Sequence, residues 1–367
     1  MPKAKVLLVG PLNIDGVGGR LEEMKVWAKA LDNAGAEVHV FTRFNSAPLF
    51  GVLPVWESAH LLFGKNALSN PFFKYVILRI WGSGFLKTSR DQFFKSTSWN
   101  RFLGKFDKVI LFITDASAER AIFESNTAKE IFIRFTGTIT DFDNLLRDGN
   151  TLVGKPRGYI FHHQNLLKHF ESKIDYKFID QTAIQEKDLI KISIGNVCKT
   201  FAMIGLFMEV KNIESVLEVF SEFEEFKLLL FGKGELEQTY RELIKKYELK
   251  NVEIRGYFPS ENMQSMFAEF DCLIINSTEE TGPMTGVEAM AAGKCIISTN
   301  VGAMQGRIEN DFWIVDYKNS LKQVLGNVAS MSTEQISRER NRLRNRYLSD
   351  YSNKAISSQI VQTILVD

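Results

Sequence analysis

Short apolar runs alternate along the chain with amphipathic stretches, and their spacing predicts strands connected by helices. Lys5-Val-Leu-Leu-Val9 has no polar face, as expected of a parallel strand covered by helices on both sides. Arg20 to Asn33 follows, with Leu21, Met24, Trp27, Ala28 and Leu31 at helical spacing; Gly35 fits a helix stop. Glu37-Val-His-Val-Phe-Thr42 reads as the next strand, completing a βαβ unit with a right-handed crossover. Lys108–Ile113, Ile131–Phe135 and Tyr159–Phe161 extend the series, so residues 1–180 predict one parallel α/β domain.

The pattern restarts at Phe201-Ala-Met-Ile-Gly205. Helical spacing over Ile213–Phe223, a strand at Lys227–Phe231, a helix over Leu236–Tyr247 and a strand at Val252–Gly256 come next. Met263–Phe270 predicts helix, and Asp271–Asn276 and Cys295–Ser298 predict two further strands. The expected class is α/β: two doubly wound parallel-sheet domains, at 1–180 and 200–345. A polar linker is expected at 181–199. The chain's end reads as helix, very basic at Arg338, Arg340, Arg342, Arg344 and Arg346, with 346–367 packing back on the N-terminal domain.

Composition narrows the function. With 45% hydrophobic and 24% charged residues and only 8 prolines in 367, the chain is of the globular kind. A formal charge of +1 argues against a general nucleic-acid binder. Cys198, Cys272 and Cys295 are far apart in sequence and form no Cys-x-x-Cys, which suits buried thiols in a reducing compartment. The first residues run into a strand without a signal peptide or a spanning-length apolar stretch, so a cytoplasmic location is expected.

Parallel α/β domains bind ligands at the carboxyl ends of their strands, and three loops fall there. Gly16-Val-Gly18-Gly19-Arg20 follows the first strand; it reads as a backbone cradle for a diphosphate or as a plain tight turn. It is no dinucleotide fingerprint, because Leu21 stands where a glycine is required and the second strand ends in Thr42-Arg43 rather than an acid. Gly205-Leu-Phe-Met-Glu-Val-Lys211-Asn212 offers a lysine for a leaving phosphate, or an ordinary surface lysine. The third loop is Glu280-Thr-Gly-Pro-Met-Thr-Gly-Val-Glu288-Ala-Met-Ala-Ala-Gly293. Here a strand-exit carboxylate and a helix carboxylate flank helix-start amides suited to phosphate.

The third stretch, together with Ile204-Gly205 and Lys211-Asn212, resembles the retaining GT-B glycosyltransferases of family four (the glycosyl transferases group 1 type). The similarity is specific over 200–310; over 1–180 it rests on the Gly18-Gly19 loop and the strand order. It implies two Rossmann-like domains facing across a cleft and a nucleotide-diphosphate sugar as donor, UDP-sugar rather than GDP-sugar. It implies no further cofactor and no metal. The acceptor is expected to be a glycan or lipid-linked molecule of cell-envelope polysaccharide synthesis. Glu280 would then contact donor-sugar hydroxyls and Glu288 the ribose hydroxyls. Lys211, Gly18 and Gly19, and the amides near Thr285, Gly286 and Val287 would hold the diphosphate, with backbone at Tyr257 and Phe258 binding the base. The family pairs an arginine with the lysine five positions earlier, where this chain has Leu206; Lys233 or Arg20 are the candidate replacements. The family's histidine after the fourth strand is also absent, leaving Asp115 as the polar group to face the acceptor. His162 and His163, at a strand end, either line the cleft, sit at the surface or pack in the core. A catalytically silent sugar-nucleotide-binding subunit and a sugar-nucleotide epimerase or hydrolase are the competing readings.

Two patterns stand apart. Asp141-Phe-Asp143 has the spacing of a metal-diphosphate site, but a second α/β domain contradicts the fold that uses it. Residues 60–105 place eight basic side chains against one acid, Asp91, among Phe72, Phe73, Trp81, Phe85, Phe93, Phe94, Trp99 and Phe102. That mixture suits an anionic membrane surface, or a core helix with a solvated basic face. The membrane reading predicts sedimentation with anionic vesicles at low salt and release at high salt; no binding at low salt would remove it.

Overall fold

Val6, Leu7, Leu8 and Val9 are buried together, as the uninterrupted apolar run requires. A computed structural model of the protein describes residues 3–10, 19–42, 55–57, 103–113, 130–136, 158–164, 176–259 and 262–366. It forms two compact units: Met1–Ile179 with Ser357–Asp367, and Asp180–Ile356. Every strand pairing within each unit is parallel.

The first unit contains β1 (Lys5–Gly10), β2 (Glu37–Thr42), β3 (Val55–Glu57), β4 (Lys108–Ile113), β5 (Glu130–Phe135), β6 (Gly158–Phe161) and β7 (Tyr176–Phe178). They lie in the order β3-β2-β1-β4-β5-β6-β7. β3 and β7 escape sequence reading because each is three residues long and at an edge, and all of β7 is exposed. Trp27, from the helix Gly19–Asn33, meets Phe112 of β4 edge-on with ring centroids 5.6 Å apart.

The second unit contains β8 (Thr200–Ile204), β9 (Lys227–Phe231), β10 (Val252–Gly256), β11 (Cys272–Ile275), β12 (Cys295–Thr299) and β13 (Ile314–Val315). Their order, β10-β9-β8-β11-β12-β13, reverses direction between β8 and β11. Such a switch point leaves a crevice at the strand carboxyl ends, because the flanking connections leave in opposite directions. Residues 181–199, expected as a linker, are instead part of this unit: Ala183, Leu189, Ile192 and Cys198 are buried in its core. The helices Thr333–Arg346 and Asn353–Val361 follow, and from Ser357 the chain is grouped with the first unit, where Ile360 and Ile364 are buried.

The basic run turns largely inward. Arg340 donates from Nε to the Gly293 carbonyl at 2.7 Å, and Arg344 donates to Ala291 O at 3.1 Å and Ile192 O at 2.8 Å. These arginines satisfy carbonyls at the carboxyl end of the helix Met284–Ala291 that its own backbone leaves unpaired. The three cysteines converge as well. Cys272 and Cys295 are register partners on β11 and β12, and all three thiols are buried with raised pKa values. For Cys198 and Cys295 the leading cause is a thiol–thiol hydrogen bond, and for Cys272 it is burial.

Lys294, beside this cluster, donates to Phe270 O at 2.7 Å. Burial lowers its pKa to about 8, and the neighbouring Arg340 adds to the effect. Between that value and the ordinary lysine value the unfolded chain binds a proton that the folded chain does not. Stability from this group therefore rises with pH across that window and is lowest below it. Lys294→Met should flatten this rise, as measured by urea unfolding of both proteins from about pH 8 upward. Parallel pH profiles would show that the amine titrates normally.

Candidate functional site

The two loops leaving β8 and β11 meet at the switch point of the second unit. From β8 the chain passes Gly205 and a single turn at Glu209–Lys211 to Asn212, which takes a left-handed conformation (φ +47°). The Asn276 side chain, beyond β11, donates to Asn212 O at 3.0 Å and to Ser215 Oγ at 2.8 Å, and the Thr278 amide donates to Val210 O at 2.9 Å. These bonds tie one loop to the other. They bring the Lys211 amine against Oε1 of Glu280, which also accepts from Ser277 Oγ at 3.1 Å. Ser277 is fixed in turn by its carbonyl, which accepts from Thr299 Oγ1 at 2.6 Å.

Close backbone approaches shape the surrounding loops. A Cβ at Gly232 (φ +156°) would lie 1.8 Å from Gly205 O, and one at Gly302 (φ +50°) would lie 2.4 Å from Thr281 O. Only glycine fits either place. A cavity of about 20 Å³ remains, with room for about one water, bordered by Gly205, Leu206, Lys211, Ser277 and Thr285 among others.

Glu288 lies on the helix Met284–Ala291 and is buried. No side chain caps this helix at its start; the Gly286 amide folds back to Pro283 O at 3.0 Å. Arg307 holds the same carbonyl from Nη1 at 2.6 Å while its Nη2 donates to Asp180 at 2.5 Å and to Gln181 at 3.1 Å. The helix is thus anchored by Arg307 at its start and by Arg340 and Arg344 at its end. Sequence reading missed Asn276, Ser277 and Arg307. Asn276 and Ser277 follow an apolar strand and so sit where strand-exit chemistry belongs. Arg307 gives no such signal, because its acidic partner is 127 residues away.

The structure joins Lys211 and Glu280 directly and puts Thr285 on the same cavity. Val287 is fully buried. Tyr257 is exposed beneath Lys233, whose amine lies 4.6 Å from the ring centroid, and Phe258 packs edge-on against Phe231 at 5.8 Å. Lys233 is therefore stationed over the Tyr257 ring. Leu206, at the position of the expected arginine, is 54% exposed. Gly19 opens the first unit's helix, and buried His162 takes the core alternative, with Nε2 at 3.2 Å from Glu23 Oε2. Gly18, Asp115, Asp141, Asp143 and residues 60–102 lie outside the described residues, as does the side chain of Arg20. Among the described residues, no helix is long and apolar enough to cross a membrane.

An ammonium, a carboxylate and an uncapped helix start at one sheet edge are suited to an anionic, polyhydroxylated ligand. Comparisons with known proteins agree with that chemistry. Residues 185–347 match the family described as Glycosyl transferases group 1. Over 144 residues the chain is 28% identical to N-acetyl-alpha-D-glucosaminyl L-malate synthase of Bacillus anthracis. That match spans 37% of this chain and 37% of the length of that relative. The fold is that of sucrose-phosphate synthase from Thermosynechococcus elongatus, with a TM-score of 0.76, 13% identity and 98% of each chain covered. It is also that of Anabaena HepE in complex with UDP and glucose, with a TM-score of 0.71 and 15% identity, covering 98% of this chain and 99% of the other.

Proposed function

We propose that the protein is a GT-B glycosyltransferase that moves a sugar from a nucleotide-diphosphate sugar, UDP-sugar in preference to GDP-sugar, to an acceptor hydroxyl with retention of configuration, a reading supported by the match of residues 185–347 to glycosyl transferases group 1. The observation that carries this reading is the Lys211–Glu280–Ser277 cluster at the switch point between β8 and β11. An ammonium has three donors, and Glu280 engages one of them. The others would meet the donor diphosphate, and Glu280 Oε2 would accept from sugar hydroxyls. The start of the helix Met284–Ala291 adds its positive end to the phosphate, with Glu288 on the ribose and the Tyr257–Phe258 backbone on the base. The glycosidic C–O bond breaks with its electron pair going to the diphosphate, which Lys211 stabilises. The acceptor oxygen bonds to the anomeric carbon from the same face, and its proton passes to the departing phosphate. The name of the Bacillus anthracis relative, with its glucosaminyl group on a hydroxy acid, and the UDP and glucose in the Anabaena structure support this chemistry. A glycan or lipid-linked acceptor of the cell envelope fits best, and transfer would proceed without a bound metal.

Exposed Leu206 favours a second reading, a subunit that binds sugar nucleotides without transferring the sugar. Its side chain borders the same cavity as Lys211 and offers no charge to a leaving phosphate.

Two measurements separate these readings. Glu280→Ala should lower turnover by roughly a hundredfold with UDP affinity little changed, whereas Glu288→Ala should weaken UDP binding about tenfold. Donor-saturation kinetics and calorimetry measure the two effects, and wild-type values for both variants would refute the assignment. Leu206→Arg should raise turnover if leaving-group charge limits transfer. UDP binding by both forms with sugar transfer by neither would establish the silent binder.

A further inference from the structure

The first unit holds a second cluster of charged side chains. Glu23 and Trp27 lie one turn apart on the helix Gly19–Asn33, and Arg134 is the penultimate residue of β5. The Arg134 guanidinium is fully buried; its Nε donates to Glu23 Oε1 at 2.6 Å, and its central carbon lies 5.5 Å from the Trp27 ring centroid. Glu23 Oε2 is engaged by His162 Nε2. Arg134 Nη1, Arg134 Nη2 and Trp27 Nε1 are buried with no hydrogen-bond partner among the described residues.

All three are donors. Buried polar groups in folded proteins are paired almost without exception, so three orphans of one kind in one place call for a complement made of acceptors. The Nη1–Nη2 edge of a guanidinium matches two oxygens of a carboxylate or phosphate, with the charge to hold them. A hydroxyl would fit less well, because it brings a donor of its own. A core ion pair alone accounts for Nε but not for the outer edge, because Glu23 is already shared with His162. Arg134 and His162 also lie at the carboxyl ends of β5 and β6, the edge at which parallel sheets bind ligands.

We infer that Arg134 and Trp27 form an oxyanion site in the first unit, accepting a carboxylate or phosphate group of the acceptor. The oxyanion chemistry follows from the three nitrogens; assigning the group to the acceptor rests on the transferase reading above. Arg134 is accordingly a specificity residue rather than a participant in bond breaking.

The test observes the Trp27 indole N–H in ¹⁵N-labelled full-length protein, with the resonance assigned from Trp27→Phe. Inorganic phosphate is titrated in one arm, acetate in a second and chloride in a third as the ionic-strength control. The site predicts a saturable shift with phosphate or acetate that exceeds the chloride effect, and the stronger anion identifies the group recognised. Arg134→Lys should weaken that response roughly tenfold by losing the bidentate edge. No shift beyond chloride in the wild-type protein, even where Arg134→Lys fails to fold, would overturn the site and leave water as the partner of these donors. An undiminished response in folded Arg134→Lys would overturn it equally. Because no donor or transfer is needed, the result stands apart from that of the transfer assay. UDP calorimetry in saturating phosphate or acetate should show the same UDP affinity in wild type and folded Arg134→Lys if the anion belongs to the acceptor; a loss of affinity present in the wild type and absent from the variant would place it with the donor and overturn that assignment.

Discussion

The candidate site depends on a backbone contact that leaves no room for a side chain. Gly232, at the end of β9, lies so close to the Gly205 carbonyl at the end of β8 that a Cβ would overlap it. The contact forces the loop after β8 to turn immediately, and the turn at Glu209–Lys211 brings Lys211 back toward β11. Gly232 also donates its amide to Gly256 O at 2.8 Å, so the exits of three neighbouring strands share one support. A methyl group there would require separating β8 from β9, which are paired along their whole length. Lys211 is therefore positioned by backbone contacts between neighbouring strand ends.

The opposite side of the site is held by buried arginines. Arg307 binds the carbonyl before the helix Met284–Ala291, and Arg340 and Arg344 bind those at and beyond its end. A short helix gains little stability from its own hydrogen bonds, and most of its ordering comes from tertiary contacts. Fixing both ends with charged donors places Glu288 without relying on helix propensity, which Gly286 weakens. Arg340 and Arg344 of the basic run thus have a structural task.

How much of this was legible in the sequence depends on the range over which each feature is encoded. Apolar runs such as Lys227–Phe231 and Cys295–Ser298 mark strands because both faces are buried, and burial writes itself into consecutive residues. The Glu280–Glu288 stretch was legible for the same reason: strand exit, loop and helix start lie within fourteen residues. The pairing of Lys211 with Glu280 spans 69 residues, that of Arg307 with Asp180 spans 127, and that of Arg134 with Glu23 spans 111. No local pattern signals such pairs; topology brings their partners together. The linker expected at 181–199 shows the converse. Its polar composition suggested a connection, but Ala183, Leu189, Ile192 and Cys198 are spaced to anchor it in the core.

Sequence reading gave Lys211 and Glu280 separate tasks, phosphate and sugar, yet the two side chains touch. The contact constrains how a donor could be held. A lysine with no partner would present its charge on a flexible stem, and ordering that stem would cost conformational entropy on binding. Paired with Glu280, and with both loops tied by Asn276 and Thr278, the amine is already ordered and keeps donors to spare. The carboxylate also limits the free positive charge, so an inorganic anion gains less from the site than a ligand that brings phosphate and hydroxyls together. Discrimination for a sugar-bearing diphosphate over free phosphate would then arise from the pair itself, because only the composite ligand satisfies ammonium and carboxylate at once.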